Sequence, residues 1–72
     1  MMNSEKEALV LDIRKKIYSL INKFPGIYFR ELQRQIGIAT GNLMYHLGFL
    51  QKHNLVKIEA HQKKKRIFPI GL

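Results

Sequence analysis

The sequence predicts an α+β domain, mainly α, in which three helices are followed by a two-stranded β-hairpin. Three observations predict it. Apolar residues recur at steps of three or four in separate stretches ahead of residue 54. Each stretch ends at a residue suited to stopping a helix: Pro25-Gly26, Gly37 and Asn54. Beyond residue 54 the pattern changes to alternation, the period of a half-buried strand. No repeat or linker composition interrupts this order, so residues 1–72 read as a single domain.

Ser4 followed by Glu7 fits a capping box, in which hydroxyl and carboxylate satisfy the free amides of a first helical turn. The spacing then predicts a helix over about residues 5–23, with Leu9, Ile13, Ile17, Leu20 and Phe24 as its inward stripe. A second, shorter helix turns Phe29, Leu32 and Ile36 inward and Arg30 and Arg34 outward, and Gly37 ends it. A third repeats Leu43, Leu47 and Leu50 with His46 at the rim of the stripe, and runs to His53. Leu55–Ala60 then alternates as a strand, His61–Lys65 forms a polar turn, and Arg66–Ile70 returns. Pro69 lacks an amide donor, which puts that strand at an edge or ends it there.

Composition limits the function. A chain of 72 residues buries only roughly 60% of its unfolded surface and has little room for an enclosed active site. Hydrophobic residues at 46% and charged residues at 25% fit a folded domain. Thirteen Lys and Arg against five Asp and Glu leave +8, which favours a polyanion, with nucleic acid ahead of an anionic membrane surface. With no cysteine there is no disulfide, thiolate ligand or cysteine nucleophile, and a cytoplasmic setting is expected. The first residues are acidic before they are basic and lack an unbroken apolar run, so neither a targeting segment nor a membrane span is expected.

A short helix joined through Gly37-Ile38 to a longer one, followed by a basic hairpin, is the plan of a winged helix-turn-helix domain. The segment PGIYFRELQRQIGIATGNLMYHLGFLQKHNLV resembles the helix-turn-helix of small prokaryotic, especially archaeal, winged-helix regulators of the MarR/ArsR type. The matching residues are Pro25, Gly26, Ile27, Arg30, Glu31, Leu32, Gly37, Ile38, Gly41, Tyr45, His46, Leu47, Leu50, Leu55 and Val56. Tyr28 and Ala39 stand where such regulators often carry a capping Ser or Thr, so the second and third helices are expected to begin a residue later or to lean on Thr40. The metal-binding cysteines of ArsR-type sensors and the flanking helices of MarR-type dimers have no counterpart here. The resemblance therefore implies DNA binding without implying sensing.

On the third helix, Gly41, Tyr45, Gly48 and Lys52 share a stripe opposite Leu43, Leu47 and Leu50, which would face the major groove. Glycine costs up to ~1 kcal/mol inside a helix, but on that face it lets the backbone approach DNA closely. Tyr45 reaches toward a phosphate or a thymine methyl, and Thr40 and Asn42 toward base edges, with Asn42 suited to pairing with adenine. Lys63, Lys64, Lys65 and Arg66 form a wing that lays charge along phosphates, unless they only protect an edge strand. Arg30 and Arg34 add backbone contacts where the second helix crosses the duplex.

The first helix carries a further apolar side. Leu11 and Tyr18 lie about 150° from the core stripe, bridged by Val10 and Ile21, with Arg14 nearby, and one small core cannot bury both sides. A homodimer through this helix is expected, since a two-fold axis would set two recognition helices one DNA turn apart. His46, His53 and His61 lack the spacing of a metal site, and the five acids are too scattered for acid-base chemistry. No enzyme activity, cofactor, metal or small-molecule ligand is expected. The sequence-specific double-stranded DNA binder stands beside one rival, a winged helix that binds protein or RNA without reading duplex sequence.

Overall fold

The structure is a computed structural model that describes residues 4–71, with side chains from residue 9 onward. The side chains of the expected Ser4–Glu7 capping box lie outside the described residues. The element order is α1 Ser4–Lys23, β1 Ile27–Tyr28, α2 Phe29–Ile36, α3 Thr40–Lys52, β2 Val56–His61 and β3 Lys64–Pro69. The strands form one antiparallel sheet in the order β1-β3-β2. This is a winged helix-turn-helix, with one strand more than expected.

Strand β1 is only two residues long and makes β3 the central strand. Pro25-Gly26 turns the chain out of α1, with Gly26 at φ 84° and its amide donating to the Ile67 carbonyl at 2.8 Å. A Cβ at Gly26 would stand 2.7 Å from Arg66 Nη2 and 3.0 Å from Phe68 Cε1, so this turn needs glycine for its conformation and for space. Ile27, Ile67 and Ile58 then pair across the three strands and form a row on the helix-facing side of the sheet.

The core unites Ile17 and Ile21 of α1, Leu32 of α2, Leu43, Leu47 and Leu50 of α3, and Ile27, Val56 and Ile67 of the sheet. Leu9 and Phe24, expected in the inward stripe, are instead 62% and 49% exposed. At about 1.5 Å per residue α1 is roughly 30 Å long, so its first turns run past the small core. Phe24 lies beyond its last turn. Ile21, expected on the outer side as part of a dimer surface, is fully buried, one helical turn after Ile17.

The hairpin is also tighter than expected. β2 and β3 run up to His61 and Lys64, leaving only Gln62 and Lys63 in the turn, at φ 49° and 68°. Positive φ at both central residues matches the twist of paired strands, but Gln and Lys hold it at a cost of roughly 1–2 kcal/mol per residue. Among the described residues no helix is long and apolar enough to cross a membrane.

Candidate nucleic-acid interface

The turn between α2 and α3 is fixed by backbone and by one glutamine. Gly37 adopts φ 76° and donates its amide to the Gln33 carbonyl at 2.7 Å, closing α2 with a left-handed cap. Gln33 Nε2 donates to the Ile38 carbonyl at 3.2 Å and to Thr40 Oγ1 at 3.0 Å, tying the turn and the start of α3 to α2. Tyr28 and Ala39 are the N-caps, and neither makes a side-chain capping bond. The expected later start or Thr40 cap is not observed: Ala39 is the N-cap, Thr40 is already the first helical residue, and its Oγ1 accepts from Gln33.

Across from this turn lies the hairpin tip, and between them runs an open groove of about 760 Å³. Arg30 and Arg34 of α2, Thr40 and Met44 of α3, and Lys63, Lys64 and Lys65 of the hairpin line it. Residues far apart in sequence thus place five cations around one concave surface. Arg34 is also paired with Glu31 at 3.3 Å, in an exposed contact of small energetic worth. Lys65 lies 5.8 Å from the Phe29 ring centre and Lys64 lies 5.7 Å from that of Tyr28, so the aliphatic stems are carried on aromatic supports.

Arg66 lies outside the lining of this groove and is held by the protein itself. Its Nε donates to the Gly26 carbonyl at 2.9 Å, and its guanidinium sits 5.3 Å from the Tyr28 ring centre and 5.4 Å from that of Phe68. The strand pleat turns it to the face of the sheet away from the core, where it braces the α1–β1 turn.

The expected reading stripe lies on the exposed side of α3. Tyr45 is 63% exposed, and Gly41, Asn42, Gly48 and Lys52 are exposed as well. A Cβ at Gly41 or Gly48 would meet nothing within 4 Å, so the domain's own packing does not require glycine at either position. Met44, missed by the periodicity argument, is 42% exposed on the groove side of the same helix.

Behind α3, Arg14 of α1 donates from Nε to His46 Nδ1 at 3.2 Å and lays its guanidinium 3.7 Å from the Phe49 ring centre. The Arg14 guanidinium is 5.8 Å from the Tyr45 ring centre, and Tyr45 meets the His46 ring edge-on at 5.4 Å. Arg14 therefore locks α1 to α3 rather than standing on an outer face. His46 is 4% exposed. Burial, and then the neighbouring Arg14 charge, hold its pKa below the ordinary 6.5, so it is neutral and accepts the Arg14 hydrogen bond.

A short helix, a pinned turn, an exposed second helix and a hairpin closing a groove define a winged helix-turn-helix domain with a cationic face. A family model described as an N-terminal HTH domain matches residues 11–72, and the chain belongs to that family. It is similar to an uncharacterised HTH-type transcriptional regulator of Methanocaldococcus jannaschii, with 32% identity over 68 residues. The match covers 94% of this chain and 17% of that relative's length. No solved structure matches the chain.

Proposed function

We propose that this chain is a sequence-specific double-stranded DNA-binding domain of a transcriptional regulator, working in the cytoplasm. Helix α3 enters the major groove, and the hairpin follows the adjacent phosphates. The observation that carries this reading is the groove, which gathers Arg30, Arg34, Lys63, Lys64 and Lys65 beside the start of α3. Cations spaced around a concave wall suit a phosphate backbone, and an exposed, side-chain-poor helix next to them suits close approach to base edges. The HTH-type name of the relative and the family description point the same way. Likeness to the MarR/ArsR type rests on the sequence pattern alone.

Selection of bound duplexes from a random pool tests the reading. One duplex is expected to outcompete random duplex by ~10³ or more at physiological salt. Equal affinity for duplex, single strands and heparin would instead leave a general polyanion binder.

The homodimer belongs to the same reading, through a smaller surface than the sequence suggests. With Ile21 in the core, Tyr18 packed against it and Arg14 bound to His46, what remains of that surface is Val10 and Leu11 on α1. Neighbouring apolar residues left exposed on a helix suit a two-fold partner. Sedimentation equilibrium at micromolar concentration should give a dimer mass, and Val10→Glu with Leu11→Glu should give a folded monomer. A wild-type monomer at that concentration would remove the interface.

A further inference from the structure

We propose that Met44 is a specificity-determining residue that recognises thymine through its C5-methyl group, from the hairpin-facing edge of α3. The proposal rests on the duplex-reading function above and goes beyond it by assigning one side chain to one base feature. Helical periodicity puts the outward stripe at Gly41, Tyr45, Gly48 and Lys52, but the α3 residues that line the cationic groove are Thr40 and Met44. Thr40 has its hydroxyl engaged by Gln33 at 3.0 Å. Met44 is left as the large α3 side chain facing the space where charged residues converge.

Core packing does not account for a methionine there. Leu43 and Leu47 are fully buried, whereas Met44 is 42% exposed and stands outside the core cluster. Met44 shares the groove with the Tyr28 and Phe29 rings as well as with Arg30, Lys64 and Lys65, and an apolar side chain gains nothing from a phosphate oxygen, so its favourable partner on a duplex is apolar. The major groove offers one such group on a base edge, the thymine methyl. A flexible thioether can follow that methyl as the duplex settles into the groove.

The test compares thymine with deoxyuracil, which lacks only this methyl. Wild type, Met44→Ala and Met44→Leu are titrated with the duplex recovered from the random pool and with copies in which each thymine in turn is deoxyuracil. Wild type is expected to lose about fourfold at one or two positions, the worth of a methyl removed from water at about 0.8 kcal/mol. Met44→Ala should bind the two forms equally at those positions, and Met44→Leu should keep the preference. If Met44→Ala discriminates as wild type does, or if no deoxyuracil copy weakens wild type, the assignment is wrong. Failure of the underlying reading looks different, because no duplex would then outcompete the pool. Because Met44 lies outside the core, circular dichroism should find both variants folded, and Met44→Leu keeps the test decisive if the alanine variant is not.

Discussion

The hairpin and helix α3, which flank the groove, follow opposite chemical plans. The hairpin wall places Lys63, Lys64 and Lys65 in consecutive positions, whereas α3 from Thr40 to Gln51 contains no Asp, Glu, Lys or Arg. The hairpin is rich in long-range charge. Helix α3 offers hydroxyl, amide, phenol, thioether and two positions without a side chain. The contrast teaches that affinity and sequence reading can be carried by separate elements, since phosphate charge is the same along any duplex while base edges differ.

The largest effect is expected on the hairpin. Replacing Lys63, Lys64 and Lys65 together with alanine should lower affinity for every duplex by about 100-fold or more in low salt. The slope of log affinity against log salt should flatten by about 0.9 for each phosphate that the variant no longer neutralises. Titrations at several salt concentrations check both, and an unchanged slope would remove the hairpin from the interface.

A smaller effect, of opposite sign in stability and binding, is expected on α3. Gly48→Ala should stabilise the helix by up to ~1 kcal/mol, because alanine is the better helix former and its Cβ would meet nothing within 4 Å. The same methyl should hinder approach to DNA and weaken specific binding by about tenfold. Thermal melting and titration of one variant read the two consequences, and unchanged binding would mean that this stripe faces solvent.

The smallest effect concerns the support behind α3. His46 has its folded pKa lowered from 6.5, so as pH falls the unfolded chain takes up the proton first. Stability should be full above about pH 6.5, decline on acidification toward the lowered folded value, and level off below it. Melting of wild type against His46→Gln across that interval should show the decline only with the histidine.

Much of this architecture was legible because it rests on local rules. Pro25-Gly26 and Gly37 signal the ends of the first two helices, and the alternation after Asn54 signals the hairpin. Strand β1 was not legible, since two residues are too few to show a period. The tight turn was hidden because Gln62-Lys63 lacks the Asn-Gly chemistry that usually marks it. Residues whose surroundings are set by distant chain resisted in a different way. Arg66 looks like a fourth wing cation until the Gly26 carbonyl is placed beside it, and Arg14 looks like a surface arginine until α3 brings His46 and Phe49 against it. Met44 escaped because periodicity distinguishes buried from exposed faces, while its significance depends on which exposed edge the hairpin approaches.

The division of labour between the cationic elements and α3 is tested most directly by the salt dependence of wild-type binding to the selected duplex and to a random one. If the hairpin and α2 supply the charge and α3, uncharged from Thr40 to Gln51, supplies the reading, both duplexes share the same phosphate contacts. Their plots of log affinity against log salt should then be parallel lines separated by about three decades. Lines that converge as salt rises, so that the preference fades with the charge, would contradict the account.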